Sequence, residues 1–129
     1  MDYDRIITHG DFDGVVSGAI CPFVLGVDTF IFTGPGAVTR AEISIGKRDV
    51  VCDLPYPLEC GLWFDHHPGN LEALALRGID PALIPGRLDG TKPSAARVVF
   101  DYYSERGTDL PARFAETVAE ADIIDSFDY

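Results

Sequence analysis

The sequence predicts an α/β fold, a mostly parallel sheet with helices on both of its faces. Short apolar runs, rich in β-branched and aromatic residues, alternate along the chain with segments of helical character. Several of these runs change abruptly into polar residues, as strands do where they end at the edge of a parallel sheet. The 129 residues, 47% of them hydrophobic, suffice for one domain with a substantial core.

The first strand, the first helix and the second strand follow one another at the start of the chain. Residues 5–8, centred on two isoleucines, form a buried strand. Residues 15–25 are small and apolar and form a helix, which Pro22 kinks or ends early and Gly26 closes. Residues 29–33 are β-branched or aromatic and form the second strand.

A loop, a short helix and two further strands are predicted next. The segment Gly34-Pro35-Gly36 favours a loop, and Thr39 can cap a short helix that runs through Ile45. Residues 49–54 form a third strand with a carboxylate near its end and two prolines beyond it. Residues 61–64 form a fourth strand that continues directly into polar residues.

The rest of the chain is predicted to contain a long loop and two helices. Residues 68–90 carry many prolines and glycines at turn positions, which favours a loop with at most one helical turn. Thr91 or Ser94 can cap a helix that runs through Tyr103. A last helix runs from about residue 109 to 124.

The charge balance argues against one class of partner. Ten basic and 21 acidic residues give the chain a formal net charge of −11. A protein that grips long nucleic acid needs clustered lysines and arginines, so we expect no long nucleic acid as a ligand. A small phosphate-containing substrate stays compatible with this charge, because bound divalent cations make a pocket locally positive.

The N-terminus and the cysteines indicate the expected compartment. The chain has no apolar run of the length that a membrane span requires, and its charged N-terminus is unlike a signal peptide. The three cysteines lack CxxC spacing, which favours free thiols over a disulfide framework or a zinc knuckle. We therefore expect no membrane partner and a cytoplasmic, reducing environment.

Carboxylates and imidazoles follow three of the predicted strands. They are His9, Asp11 and Asp13 after the first, Asp53 near the end of the third, and Asp65, His66 and His67 after the fourth. Each cluster alone also fits a polar turn or a surface loop. Because parallel strands end at one edge of a sheet, we expect the clusters to converge, and crowded carboxylates repel one another without cations. The pattern predicts two divalent cations, Mn²⁺ with Mg²⁺ as the alternative.

The ordered set of motifs resembles the DHH phosphoesterase superfamily. It consists of His-x-Asp-x-Asp-Gly at residues 9–14, a strand-end Asp, and Asp-His-His at residues 65–67. That group includes manganese-dependent inorganic pyrophosphatases, single-strand exonucleases, oligoribonucleases and cyclic dinucleotide phosphodiesterases. The resemblance extends over residues 5–129 and implies that residues 1–129 form a DHH-type N-terminal domain.

The resemblance implies how the motif residues share two metals. His9 and Asp11 would hold one metal ion, Asp13 and His66 would hold the other, and Asp53 would bridge them. The arrangement is that of a two-metal site for phosphoryl chemistry.

The resemblance also implies roles for the residues beside the metals. His67 would face the substrate phosphate, and Asp65 would orient the cluster as a hydrogen-bond acceptor. The family's fourth motif is an acid after a helical segment. Asp125, in the run Asp-Ser-Phe-Asp-Tyr at residues 125–129, looks like this acid, and Asp122, three residues earlier on the helix, is the alternative.

The implied function is metal-dependent hydrolysis of a phosphoester or phosphoanhydride bond by a water that two cations activate. The substrate is expected to be small: an oligonucleotide end, including that of a short single-stranded oligonucleotide, a nucleotide phosphate or a short phosphate chain. Family members carry a second, C-terminal domain that contacts the substrate, and no part of this sequence resembles it. We therefore expect residues 1–129 alone to turn over nucleotides poorly. The alternative is a non-catalytic nucleotide- or metal-binding regulatory module, and the oligomeric state is not predicted.

Overall fold

The fold is built on one parallel sheet. A computed structural model describes residues 2–126. Its strands are β1 Arg5–His9, β2 Phe30–Thr33, β3 Asp49–Cys52, β4 Leu62–Asp65 and β5 Gly86–Leu88. They pair in the order β2-β1-β3-β4-β5, and every pair is parallel.

Helices cover both faces of this sheet. They are α1 Phe12–Leu25, α2 Pro35–Thr39, α3 Pro68–Leu76, α4 Ala95–Glu105 and α5 Ala112–Ser126, with a 3₁₀ turn at Pro81–Leu83. Helices α1, α4 and α5 pack together on one face, and α2 and α3 lie over the other. The predicted α/β class, with helices on both faces, is confirmed.

Alternating side chains of the strands enter two separate cores. Ile6 and Phe64 point to the face covered by α1, α4 and α5. Their chain neighbours Ile7 and Trp63 point to the face covered by α2 and α3. All four side chains are buried, as expected of strands that are covered on both sides.

The order of the strands places a crevice between β1 and β3. The chain passes from β1 to β2 on one side and then returns to β3 on the other side of β1. In open α/β sheets, the point where the direction reverses, at the carboxyl ends of the strands, is where ligands bind.

Two glycines let α1 begin tightly against the end of β1. A Cβ on Gly14 would lie 2.0 Å from the carbonyl oxygen of His9, so no other residue fits there without a shift of the backbone. A Cβ on Gly18 would lie 3.1 Å from Cγ2 of Thr8. Asp11 caps the helix, because its Oδ1 accepts a hydrogen bond from the Gly14 N–H at 2.8 Å.

Two predictions for the segment after β2 are wrong. Gly34-Pro35-Gly36 begins α2 instead of forming a loop, because Pro35 occupies the first helical turn, where its missing N–H has no cost. The helix expected from Thr39 to Ile45 does not form. Helix α2 ends at Thr39, and Ala41 takes a left-handed φ of 55°.

The loop predicted for residues 68–90 is wrong over most of its length. This segment contains α3, the 3₁₀ turn and β5. Pro68 starts α3 at the position that favours proline, and Leu74 anchors the helix in the core. The dense prolines and glycines therefore mark the ends of short elements.

Other elements differ from their predictions by smaller amounts. Pro22 lies inside α1, which continues to Leu25. Ser94, one of the two alternatives, caps α4 by accepting a hydrogen bond from the Arg97 N–H at 3.0 Å. No helix among residues 2–126 combines the length and the apolar character needed to cross a membrane.

Candidate metal centre

The predicted site residues converge at the crevice between β1 and β3. His9, Asp11 and Asp53 form one group, called here the outer group. Asp13, His66 and Asp125 form a second, the inner group. Each residue of a group offers one potential ligand atom, and the three atoms of a group all lie within 4.8 Å of one another. Asp53, His66 and His67 form a third group of this kind. Asp53 of the outer group thus also lies close to His66 of the inner group.

The outer group is built on the turn between β1 and α1. His9 is the last residue of β1, and its Nδ1 lies 3.1 Å from Asp11 Oδ2 and 3.6 Å from Asp53 Oδ2. Because Oδ1 of Asp11 caps α1, its Oδ2 is the atom that faces the group. The side chains of His9 and Asp11 are 32% and 42% exposed, so the outer group opens to solvent.

The inner group is buried and held by α4. The side chain of Asp13 is only 2% exposed, and its two oxygens accept hydrogen bonds from the N–H groups of Ala95 and Ala96, each at 2.8 Å. These donors belong to the first turn of α4, where the helix dipole also favours a negative charge. Asp13 is therefore fixed in position by backbone contacts before any ligand binds.

His66 presents one nitrogen to the inner group. Its Nδ1 lies 3.2 Å from the carbonyl oxygen of Lys92, which assigns the ring proton to Nδ1 because a carbonyl can only accept. Its Nε2 then offers a lone pair, 2.9 Å from Asp125 Oδ2 and 3.5 Å from Asp13 Oδ2. This is the usual arrangement of a metal-binding histidine.

Asp53 has the least favourable backbone conformation and the least favourable side-chain environment of the site. It follows β3 with a left-handed φ of 59°. Both of its carboxylate oxygens are buried and receive no hydrogen bond from residues 2–126. Burial, and then the charges of Asp13 and Asp11, raise the pKa of Asp53 to about 10. A buried carboxylate without a partner is costly, and a cation at this point removes the cost.

The pKa of Asp13 shows a weaker form of the same effect. Burial raises the pKa of Asp13 to about 6, and the two α4 amides oppose this rise. The site thus combines two buried acids that lie near each other with two histidines. Their carboxylate oxygens and imidazole nitrogens are ligands that suit divalent cations such as Mn²⁺. The residues of this site therefore fit a pair of divalent metal ions.

Asp65 has another structural role, because it is fully buried and its oxygens already accept hydrogen bonds. They come from His67 Nδ1 at 2.7 Å, the His67 backbone N–H at 3.2 Å and Asn70 Nδ2 at 2.6 Å. The hydrogen bond that His67 Nδ1 donates to Asp65 is the main cause that raises the pKa of His67. The half-exposed imidazole of His67 is thus oriented by Asp65 and favoured in its protonated form.

Asp125 and Asp122 occupy different environments on α5. Asp125 belongs to the inner group. Asp122 accepts hydrogen bonds from Ser94 Oγ at 2.6 Å and from Arg97 Nη2 at 2.7 Å, and it belongs to none of the metal-compatible groups among residues 2–126. Residues 127–129, the end of the predicted Asp-Ser-Phe-Asp-Tyr motif, lie outside the described residues.

Four contributors to the site were not predicted from the sequence. They are the side chain of Asn70, the carbonyl of Lys92 and the amides of Ala95 and Ala96. Asn70 was hidden by the incorrect loop prediction for residues 68–90. The sequence did indicate a helix cap near Ser94, and the first backbone N–H groups of a helix have no partner within the helix, so amides available to a ligand or side chain could have been expected there.

A pocket of about 310 Å³ opens over the outer group. Its lining includes His9, Asp11, Asp53, His67 and Asn70. A small anionic group that entered it would meet the imidazole of His67 and any cation held by the acids. The site can therefore hold cations at its base and a phosphate-sized ligand above them.

The chain is similar to solved structures, and one of these matches it over nearly its whole length. It is the pGpG-specific phosphodiesterase PggH from Vibrio cholerae, with a TM-score of 0.75 and 28% sequence identity. The match covers 98% of this chain and 38% of that chain, so the present chain spans well under half of the phosphodiesterase. No family model and no curated protein matches the sequence significantly. The structural likeness is to a phosphoesterase, in agreement with the class that the motifs predict.

Proposed function

We propose that residues 1–129 form the metal-binding, DHH-type domain of a phosphoesterase that hydrolyses a phosphodiester bond in a small nucleotide. Asp53 carries the proposal, because its buried carboxylate has no hydrogen-bond partner among residues 2–126 and lies between two sets of potential ligands. Two cations on either side of Asp53 would balance its charge. The likeness to a phosphodiesterase supports the reaction class.

Each set of side chains would hold one metal ion. His9 and Asp11 would hold the outer ion, and Asp13, His66 and Asp125 the inner ion, with Asp53 shared by both. Mn²⁺ suits this mixture of carboxylates and imidazoles, and Mg²⁺ is the alternative. When bound, the cations would supply Lewis-acid stabilisation and an activated water.

The side chains around the metals would position and stabilise the phosphate. His67 is directed to the pocket side of the site and is favoured as an imidazolium by its hydrogen bond to Asp65. It can donate from Nε2 to a phosphoryl oxygen whose negative charge grows during displacement. Asn70 keeps Asp65 in place and thereby fixes the orientation of His67.

The proposed substrate is a short nucleotide. PggH is described as a phosphodiesterase specific for the dinucleotide pGpG. The pocket over the outer group is small, and the net charge of −11 disfavours a long polyanion. Since the chain spans 38% of PggH, substrate contacts made by a longer form would add to those described here, and we expect slow turnover by residues 1–129 alone.

The experiment is a paired measurement of metal binding and turnover. We expect calorimetry to detect two Mn²⁺ ions per chain, and hydrolysis of pGpG and of bis(p-nitrophenyl) phosphate to require Mn²⁺. Asp53→Asn should abolish both metal binding and hydrolysis. The control Asp28→Asn, which replaces an exposed aspartate far in sequence from the residues of the crevice, should change neither metal binding nor hydrolysis. Binding of two ions without hydrolysis of any diester would favour the non-catalytic module, and absence of metal binding would overturn the proposal.

A further inference from the structure

A second pocket of about 210 Å³ adjoins the candidate metal centre. It lies on the same face of the sheet as α2 and α3, and it shares the residues Pro55 and Asn70 with the pocket over the outer group. A ligand with one end at the metal centre could therefore extend directly into this second pocket. Together the two pockets reach the range of about 300–1,000 Å³ that is usual for small-molecule sites.

One face of α3 forms a wall of this second pocket. Asn70, Ala73, Leu74 and Arg77 all line it, and their spacing of three, four and seven residues places them on a single side of the helix. Leu74 is buried beneath, while Ala73 and Arg77 are exposed. The wall is thus apolar at its base, with a cation at its end.

The loop after β3 supplies an aromatic ring to the same pocket. Tyr56 lines the pocket, and its ring lies 5.2 Å from the buried ring of Trp63. Its hydroxyl donates a hydrogen bond to the carbonyl of Leu58 at 3.2 Å. These two contacts hold the ring in place from behind and from its polar end, so it is a fixed surface on which a planar group can stack.

The charge of the second pocket is opposite to that of its neighbour. Within residues 2–126, no aspartate or glutamate lines it, although the chain as a whole is strongly acidic. Arg77 is also distinctive, since within residues 2–126 every other arginine contacts a carboxylate or an aromatic ring. Its guanidinium, with five donors, is available to a ligand.

We infer that the second pocket is a nucleobase subsite, and this inference rests on the proposed function. A nucleotide whose phosphate lies at the metal centre would place its base against Tyr56 and the apolar base of the pocket. Arg77 would donate to the acceptor edge of that base. Two adjacent acceptors on guanine suit a planar guanidinium, whereas adenine offers a donor at the corresponding place, so guanine is the preferred base.

The key variant fills the subsite without touching the metal centre. Ala73→Phe places a ring in the pocket at a position that is exposed, so folding should be preserved. Ala75→Phe is the matched control, since it puts the same ring on another exposed position of α3 that lines neither pocket. Thermal unfolding of both variants checks that they fold equally well.

Binding is measured first, because it does not depend on turnover. We expect calorimetry with GMP in the presence of Mn²⁺ to show affinity weakened about tenfold by Ala73→Phe, the loss expected for one stacked base, and unchanged by Ala75→Phe. Affinity for inorganic phosphate should be the same in all three proteins. Equal GMP affinity in Ala73→Phe and Ala75→Phe would overturn the inference.

Arg77→Gln tests the preference for guanine. It should reduce the ratio of GMP to AMP affinity severalfold, while Lys47→Gln, at another exposed cation, leaves the ratio unchanged. If the wild type bound GMP and AMP with equal affinity, the assignment of Arg77 to the subsite would be wrong.

Hydrolysis separates a failure of this inference from a failure of the proposed function. If the subsite exists, Ala73→Phe should raise the KM for pGpG, and the control Ala75→Phe should leave this KM at the wild-type value. If no diester is cleaved by the wild type but GMP binding still depends on Ala73, the proposed function fails and the subsite stands.

Discussion

The inner and outer groups of the metal centre contain the same types of side chain, but the protein holds them differently. In the inner group, Asp13 is fixed by two amides of α4, and His66 by the carbonyl of Lys92. Among residues 2–126, the outer group has only the cap of Asp11 on α1 as a comparable contact, and the side chains of His9 and Asp11 reach solvent. Under the proposed function, the inner position would be preorganised for an ion, and the outer position would adjust when an ion and the substrate bind.

The largest expected effect comes from replacing Asp53, the residue proposed to hold both ions. Asp53→Asn should reduce Mn²⁺ affinity at both positions by more than the roughly 100-fold that is typical for outer-shell partners. It should also raise the melting temperature of the metal-free protein near neutral pH, because Asn removes the proton uptake on folding that a carboxyl with a pKa of about 10 requires. Calorimetry and thermal unfolding in EDTA check the two effects. Loss of only one ion would show that Asp53 does not bridge.

A matched pair of substitutions separates the two groups. Asp13→Asn should eliminate the inner ion and destabilise the fold by about 1–3 kcal/mol, because an amide NH₂ would then face an N–H of α4. Asp11→Asn should weaken only the outer ion, with stability unchanged within about 0.5 kcal/mol, since Asn is an equally good helix cap. Urea unfolding without metal measures the contrast. Equal losses of stability in Asp13→Asn and Asp11→Asn would contradict the conclusion that the protein holds the inner group more firmly than the outer group.

The two acids of α5 provide a third comparison, with a smaller effect. Asp125→Ala should weaken the inner ion about 10- to 100-fold and leave the outer ion in place. Asp122→Ala should leave metal affinity intact and lower stability by about 1–3 kcal/mol, because Ser94 and Arg97 lose their acceptor. If Asp122→Ala abolished metal binding instead, the assignment of Asp125 to the inner group would be wrong.

The contrast between the two buried acids also predicts a pH dependence for the stability of the metal-free protein. The folded-state pKa values of Asp13, about 6, and of Asp53, about 10, lie above the usual value near 3.8. The folded state therefore binds more protons than the unfolded state above pH 4, and its stability should fall as the pH rises, first through 6 and then towards 10. Bound Mn²⁺ should abolish or reverse this fall. Melting temperatures from pH 5 to pH 9, in EDTA and in Mn²⁺, measure it.

The sequence predicted the elements whose signals are local. The ends of β1 and β4 were located because an apolar run changes there into acids and histidines. Helix α3 and strand β5 were missed, since in such short elements the proline and glycine signals for a turn outweigh the few residues that favour a helix or a strand. Gly86, with a φ of 109°, lies in β5 close against the backbone of Trp63, a use of glycine that only tertiary structure explains.

The support of the site could not be predicted for a different reason. The hydrogen bonds from Ala95 and Ala96 to Asp13 join residues more than 80 positions apart, and no pattern in one sequence shows such a contact. The resemblance to a known family proposed ligands but not the groups that orient them. Which of Asp125 and Asp122 lies nearer the inner group likewise depends on how α5 packs on α4, which places Asp122 against Ser94 and Arg97.

The contact between Asp13 and α4 has a consequence for the order in which the protein is assembled. A chain emerging from the ribosome presents His9, Asp11 and Asp13 early, but the amides that fix Asp13 are made more than 80 residues later. The inner position therefore becomes complete only once α4 has docked, and under the proposed function an N-terminal nascent chain could not yet hold an ion there. Capture of the inner ion would then mark the end of folding, and metal supply in the cell would act on finished molecules.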